Sequence, residues 1–239
     1  MNIKKHIPNT ITCMNMACGC LAVVMAFQGN FIWSAIYILL AAVFDFFDGM
    51  VARLLNVKSD IGKELDSLSD MVSFGLAPAA IIYNLLLSIT PDGSYLPYLA
   101  FLLAIFSGLR LAKFNVDDRQ TCSFIGLPTP ANAMFMSSLA ALSDPIAPIP
   151  GWFDVEVIHD IVTSPIVILC LVFLFSYLLV CELPMFSLKF KNLKWEDNKI
   201  RFILIISSVV LAAIFQMAAI PLIIILFILM SIFTAFVKK

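Results

Sequence analysis

Long apolar runs separated by short polar segments fill most of the chain. Runs of roughly 20 mostly apolar residues are long enough to cross a bilayer, and counting them predicts eight spans. The spans cover about 11–28, 31–54, 61–89, 95–116, 127–148, 161–182, 200–218 and 219–237. The fifth run is weakened by Pro128, Pro130 and the Asp144-Pro145 pair, and only residues 216–221 divide the last two. The pattern predicts an all-α fold: a polytopic membrane helical bundle forming one integral membrane domain over 1–239.

The composition agrees with a membrane protein and excludes an ordinary soluble one. Of the 239 residues, 62% are apolar and 13% are charged, and the mean hydropathy is +1.00. A soluble domain carries about 25% charged residues. The formal net charge of −1 gives the chain no general attraction to nucleic acid, so no nucleic-acid partner is expected.

The positive charges lie on one side of the predicted bundle. With the N-terminus in the cytosol, all 15 Lys and Arg residues fall at the termini or in the cytosolic loops. The opposite loops (28–30, 90–97, 143–164 and 216–220) contain none. Because Lys and Arg concentrate in cytoplasmic loops, this predicts cytosolic termini in the cytoplasmic (inner) membrane. The first run is alternatively a signal peptide, but its length and lack of a clean small-x-small cleavage site favour a retained span.

Four aspartates interrupt the second and third apolar runs. Asp45 and Asp48 share a helical face with Gly49 and Ala52, and Asp66 and Asp70 share a face of the next helix. Two helices joined by a short loop are expected to lie antiparallel, so the four carboxylates are predicted to meet. Asp45 lies about 12 Å inside the edge of the span, at 1.5 Å per residue, a depth that suits a lipid whose phosphates lie at the interface.

Carboxylates gathered in a medium of low dielectric constant need counter-charge. Oxygen ligands suit the hard cations Mg²⁺ and Mn²⁺, and two carboxylate pairs predict two ions that clamp a pyrophosphate or phosphodiester. Gly49 and Ala52 leave room for a ligand, while Arg53 at the cytosolic edge can bind a phosphate. The alternative is that the acidic groups are helix caps or solvated loop residues, which is the interpretation favoured for Asp60 and Glu64.

The aspartates belong to a longer pattern: Asp45-x2-Asp48-Gly49-x2-Ala52-Arg53-x8-Gly62-x3-Asp66-x3-Asp70. It resembles the signature of the CDP-alcohol phosphatidyltransferase family at every fixed position. The resemblance implies a two-metal enzyme in which an alcohol displaces CMP from a CDP-linked lipid, with a catalytic core at about 8–182 and additional helices at about 200–237. It implies these roles: metal ligands Asp45, Asp48, Asp66 and Asp70, general base Asp70, and CDP-lipid contacts Gly49, Ala52 and Arg53.

The flanking segments resemble the bacterial and archaeal phosphatidylserine synthases of that family, over roughly positions 8 to 135. The similar segments are 8–19, 65–78, 109–115 and 124–130. This resemblance implies that CDP-diacylglycerol and L-serine are converted to phosphatidylserine, a membrane lipid, and CMP. Family members are commonly homodimers, so a homodimer is expected.

L-serine needs a cation for its carboxylate and acceptors for its ammonium group. We expect Arg110 to bind the carboxylate with Lys113 nearby, and Asn115, Ser123 and Thr129 to line the pocket. Lys113 stands where the serine synthases suggest Arg, which keeps the charge but loses bidentate geometry. Arg110 and Lys113 are alternatively ordinary positive anchors at a membrane edge.

Some alternatives remain open at this stage. Asn9, Thr12 and Asn15 either cap the first span or contact the cytidine of the CDP-lipid. The acceptor is alternatively glycerol 3-phosphate, inositol or inositol phosphate, and the lipid is alternatively an ether lipid of archaeal type. A cation transporter is the alternative from another class, because intramembrane carboxylates also mark ion paths. Against it, the acidic cluster stays in the cytosolic half and spans six to eight hold almost nothing polar.

Overall fold

A computed structural model describes residues 6–57, 59–117, 124–151, 154–186 and 194–237. The described residues are almost entirely helical, which confirms the all-α fold. The α-helices are α1 His6–Phe27, α2 Phe31–Leu54, α3 Asp60–Asp70, α4 Ala77–Ile89, α5 Leu102–Val116, α6 Thr129–Ala141, α7 Val155–Val162, α8 Pro165–Val180, α9 Trp195–Phe215 and α10 Ala219–Val237. Met71–Leu76 is a π-helical segment, and Leu96–Phe101 and Gln216–Ala218 are 3₁₀-helical. The strands β1 Phe124–Ile125 and β2 Pro184–Met185 pair antiparallel.

Several helices are long and apolar enough to cross a membrane, which indicates an integral membrane protein. Within the described ranges there are five such helical segments, or six if the bent pair α7–α8, with its 62° angle, is one span. The predicted count of eight is therefore not confirmed. One of the five, Asn198–Ala235, is 38 residues long and covers the seventh predicted span and all but the last two residues of the eighth. Gln216, with φ of 49°, separates α9 from α10 within it.

The fifth predicted span is the weakest in the structure. It contains α6, which has only 13 residues and so measures about 20 Å at 1.5 Å per residue, against about 30 Å for the hydrocarbon core. Pro128 immediately precedes the helix, and the Asp144-Pro145 pair follows its end. The same polar and proline residues that weakened the prediction thus limit this helix.

The first two helices form a closely packed hairpin. Gly29, with φ of 71°, occupies the turn, and the Asn30 side chain caps α2 by accepting a hydrogen bond from the Trp33 amide. Small side chains such as Ala22 and Ala35 are buried between elements, where they let helix backbones approach closely. This hairpin also packs on α3 and α4, so it carries Asp45 and Asp48 toward the next helix.

A π-helical segment joins α3 to α4 in one apolar segment, Asp60–Ile89. It starts at Met71, directly after Asp70, and packs against α1, α5 and α6. Gly19 of α1 makes this contact possible, because a Cβ there would lie 2.7 Å from the Cα of Ser73. π-Helical turns inside α-helices are rare and occur frequently at functional sites.

Candidate metal centre

Three carboxylates of α2 and α3 lie together. The ligand oxygens of Asp45, Asp48 and Asp66 are all within 4.8 Å of one another. Asp45 and Asp48 are one helical turn apart on α2, and Asp66 lies on α3. The convergence follows from the helical spacing in each element and from the short connection between them.

Asp70, the fourth predicted ligand, lies one turn after Asp66 and outside this triad. Its carboxyl group lies close enough to the carboxyl group of Asp45 for the two to interact. The guanidinium of Arg110, a buried residue of α5, interacts electrostatically with Asp70. Asp70 therefore connects the acidic triad to a cation on the neighbouring helix.

Helix α1 supplies hydrogen-bond donors to two of the aspartates. The Thr12 hydroxyl donates to Oδ2 of Asp48 at 2.7 Å, and Nδ2 of Asn15 lies 3.5 Å from Oδ1 of Asp70. Asp48 is only 7% exposed, and Thr12 and Asn15 are buried as well. The sequence did not indicate these contacts, since Thr and Asn near a helix start are also typical caps.

The donor set fits a divalent cation. All three clustered ligands are carboxylate oxygens, which are the ligands that Mg²⁺ and Mn²⁺ prefer. Within the part of the chain that the structure describes, no Lys or Arg forms an ion pair with Asp45, Asp48 or Asp66. Three close carboxylates without a paired cation repel one another, and a divalent cation held between them would supply the missing positive charge.

A cavity of about 400 Å³ opens beside the triad. Four of the predicted CDP-lipid contacts (Asn9, Thr12, Gly49 and Ala52) line it, and so do Asp48 and Asp66. The fifth, Arg53, is exposed and is not among the lining residues. The cavity is large enough for a ligand and touches two of the three clustered carboxylates.

The same cavity has polar lining residues that the sequence interpretation missed. Ser59, Asp60 and Lys63, at the start of α3, line its wall. Gly62 lies among them, and a Cβ there would lie 2.9 Å from Oδ1 of Asn9. Lys63 directly follows Gly62, a fixed residue of the signature. This position could have indicated from the sequence that Lys63 lines the cavity.

The residues predicted to bind L-serine do not come together at one place. Arg110 and Lys113 line a second cavity of about 310 Å³, together with residues of α8 and Glu182. Nδ2 of Asn115 instead donates to the Ser67 hydroxyl at 2.9 Å. Thr129 is fully buried at the start of α6, and Ser123 lies outside the described residues.

These features define a helical membrane protein with a carboxylate cluster on two of its apolar helices, beside a ligand-sized cavity. A family model described as CDP-alcohol phosphatidyltransferase matches residues 5–181. The match covers most of the chain and both acidic helices. The chain belongs to the CDP-alcohol phosphatidyltransferase family, and it is a transferase.

Curated relatives are similar over a little more than half of the chain. A CDP-diacylglycerol–serine O-phosphatidyltransferase of Bacillus subtilis is 39% identical over 141 residues, covering 59% of this chain and 78% of the relative. An archaetidylserine synthase of Methanothermobacter thermautotrophicus is 39% identical over 147 residues, 58% of this chain and 61% of the relative. A CDP-diacylglycerol–serine O-phosphatidyltransferase of Mycobacterium leprae is 37% identical over 144 residues, 57% of this chain and 47% of the relative.

Proposed function

We propose that the protein is a metal-dependent phosphatidylserine synthase. It transfers the phosphatidyl group of CDP-diacylglycerol to the hydroxyl group of L-serine and releases CMP. The observation that carries this proposal is the cluster of Asp45, Asp48 and Asp66 beside the cavity, in a chain whose relatives from two domains of life are named as serine-using enzymes.

The carboxylates hold the divalent cations, and the cavity holds the CDP group. Asp45, Asp48 and Asp66, together with Asp70, are the proposed ligands of two Mg²⁺ or Mn²⁺ ions. When bound, these ions supply positive charge that neutralises the pyrophosphate of the donor lipid. The cavity lined by Asn9, Gly49 and Ala52 accommodates the nucleotide end of that lipid.

Asp70 is the proposed general base. It accepts the proton of the serine hydroxyl as the serine oxygen forms a bond to the phosphorus on the lipid side of the pyrophosphate. The bond from that phosphorus to the bridging oxygen breaks, and CMP leaves with that oxygen. Arg110, which interacts with Asp70, is the proposed partner of the serine carboxylate, at the second cavity, which it lines with Lys113.

The site is proposed to face the cytosol from the inner membrane, with both termini on the same side. The C-terminal ends of α2 and α5 carry Arg53 and Lys113, and the N-terminal ends of α3 and α9 carry Lys63 and Lys199. This charge distribution supports a cytosolic position for these helix ends. The homodimer stays a prediction.

Purified protein in detergent tests the proposed function through CMP release. The assay supplies CDP-diacylglycerol and Mn²⁺ with one acceptor at a time: L-serine, glycerol 3-phosphate, inositol or inositol phosphate. A parallel series with a CDP-linked archaeal ether lipid tests the donor. We expect release with L-serine alone and loss of release after chelation. Release only with another acceptor contradicts the serine assignment, and no release from folded protein contradicts the transferase reaction.

The variant Asp70→Asn tests the proposed base. It keeps the size of the side chain and an oxygen that can still contact a metal ion, but it removes the acceptor of the proton. We expect Mn²⁺ to bind more weakly and CDP-lipid binding to persist, while CMP release at saturating Mn²⁺ falls at least 100-fold. Asp92→Asn, at an exposed turn after α4, is the matched control and is expected to behave as wild type. Turnover near the wild-type rate in Asp70→Asn rules out Asp70 as the base.

A further inference from the structure

Two residues of α1 take part in a repeated pattern of hydrogen bonds with α3 and the π-helical segment. The Ser69 hydroxyl donates to the backbone carbonyl of Thr12 at 3.0 Å. One turn further, the Ser73 hydroxyl donates to the backbone carbonyl of Asn15 at 2.9 Å. The two serines thereby fix the position of α1 along α3.

The side chains of the same two α1 residues extend to the acidic centre. Thr12 donates to Asp48, and Asn15 lies within reach of Asp70. The Thr12 hydroxyl also lies 3.1 Å from the Pro8 carbonyl, but it has a single proton. The 2.7 Å contact to the carboxylate is shorter and is assisted by charge, so it is the stronger of the two.

The environment of the Asn15 amide indicates that its contact with Asp70 has a role beyond packing. Asn15 is fully buried, and its Oδ1 has no hydrogen-bond partner among the residues that the structure describes. A buried amide oxygen without a partner lowers stability. An apolar residue at this position avoids that loss, so the contact that distinguishes Asn from Leu here is the one from Nδ2 to Asp70.

We infer that α1 is a positioning element of the metal centre: Thr12 orients Asp48, Asn15 orients Asp70, and Ser69 and Ser73 fix α1 in the register that both contacts need. This inference rests on the proposed metal site, and it assigns roles to residues that are not themselves proposed metal ligands. Groups that orient metal ligands commonly change metal affinity about 10- to 100-fold when they are removed.

The test is a titration of the purified full chain with Mn²⁺ alone, with free Mn²⁺ followed by its electron paramagnetic resonance signal. In Thr12→Val and Asn15→Leu we expect Mn²⁺ affinity to fall about 10- to 100-fold. For Asn15→Leu we expect a thermal stability equal to that of the wild type or higher. Thr12→Ser keeps the hydroxyl and is expected to retain most of the affinity.

Two matched controls separate this role from a general effect of the substitutions. Thr10→Val removes an exposed hydroxyl on α1 that donates to the His6 carbonyl, and Asn84→Leu removes an amide on α4 that donates to the Ala80 carbonyl. Both are expected to bind Mn²⁺ as wild type does.

A double-mutant cycle of Ser73→Ala with Asn15→Leu is expected to show coupling in Mn²⁺ affinity, because the serine acts on the metal centre through Asn15.

The outcomes separate this inference from the proposed function. Wild-type Mn²⁺ affinity in both Thr12→Val and Asn15→Leu overturns it, as does equal loss in the two controls. If Thr12→Val raises only the KM for CDP-lipid and leaves Mn²⁺ affinity unchanged, Thr12 contacts the substrate and does not position Asp48. If wild-type protein binds Mn²⁺ but releases no CMP, the transferase proposal fails while the Mn²⁺ titrations still decide the role of α1.

Discussion

The close approach of α1 to the π-helical segment makes Gly19→Ala a demanding test of the structure. The added Cβ would lie 2.7 Å from the Cα of Ser73, a backbone atom that cannot rotate away. Carbon atoms pack at about 3.5–4.0 Å, so the two elements must separate by roughly 1 Å. The hydrogen bond from Ser73 to the Asn15 carbonyl, 2.9 Å long, then stretches to roughly 3.9 Å, beyond hydrogen-bonding range.

The energetic terms of Gly19→Ala have opposite signs, and their sum is destabilising. Forcing extra volume into a packed contact costs about 1–3 kcal/mol, and losing the hydrogen bond costs about 1 kcal/mol more. Replacing Gly by Ala inside a helix stabilises the fold by about 1 kcal/mol. A net loss of about 2 kcal/mol corresponds to a fall in Tm of roughly 4–8 °C for a chain of this size.

Thermal unfolding in detergent and Mn²⁺ titration measure the two consequences of Gly19→Ala. We expect a lower Tm and a weaker Mn²⁺ affinity, since the shift of α1 also moves Asn15 away from Asp70. The matched control is Gly108→Ala on α5, whose Cβ would lie 3.4 Å from the flexible Met71 side chain and is expected to be neutral or stabilising. A Gly19→Ala protein with wild-type Tm and Mn²⁺ affinity refutes the packing on which this reasoning depends.

Two further substitutions test buried positions of the fold. Gly126→Ala is expected to lower the Tm markedly, because Gly126 has φ of +78° and a Cβ there would lie 2.6 Å from the Leu179 carbonyl oxygen; an unchanged melting curve would contradict this turn geometry. Asn132→Leu is expected to raise stability by about 1 kcal/mol or more, because neither polar side-chain atom of this fully buried residue has a partner among the described residues. A lower Tm for Asn132→Leu would show that its amide is bound in the native protein.

The acidic centre was largely predictable because its geometry is local. Spacing of three and four residues puts Asp45 and Asp48 on one face of α2, and a short connection brings α3 alongside. The structure accordingly places these two carboxylates with that of Asp66. Both the residue spacing and the short loop are visible in the sequence, and together they are sufficient for this prediction.

The contribution of α1 was not predictable from local pattern. Thr12 and Asn15 are far in sequence from the aspartates that they contact, by 36 and 55 positions, and both residue types are common near helix starts. The π-helical segment gave no recognised sequence signal either, and it packs against three other helices, α1, α5 and α6. These features depend on tertiary contacts that a periodicity analysis does not contain.

The predicted number of spans is not confirmed, in part because hydropathy overestimated the length of one helix. Hydropathy alone extends the fifth run through residues 127–148, but prolines and Asp144 restrict helix α6 to Thr129–Ala141. Apolar side chains here make a buried helix rather than one long enough to cross by itself. Arg53 is exposed and is not among the residues that line the cavity, and its contact with the CDP-lipid stays a prediction.

Transfer of radiolabelled L-serine into extractable lipid, by the purified protein with CDP-diacylglycerol, tests the proposed reaction and its metal centre together. We expect labelled phosphatidylserine in the presence of Mn²⁺ or Mg²⁺, none after chelation, recovery when the metal is restored, and none in folded Asp48→Asn. Labelled lipid that forms equally well without divalent metal, or in Asp48→Asn, would contradict the assignment of the carboxylate cluster as the metal centre of a serine-using phosphatidyltransferase.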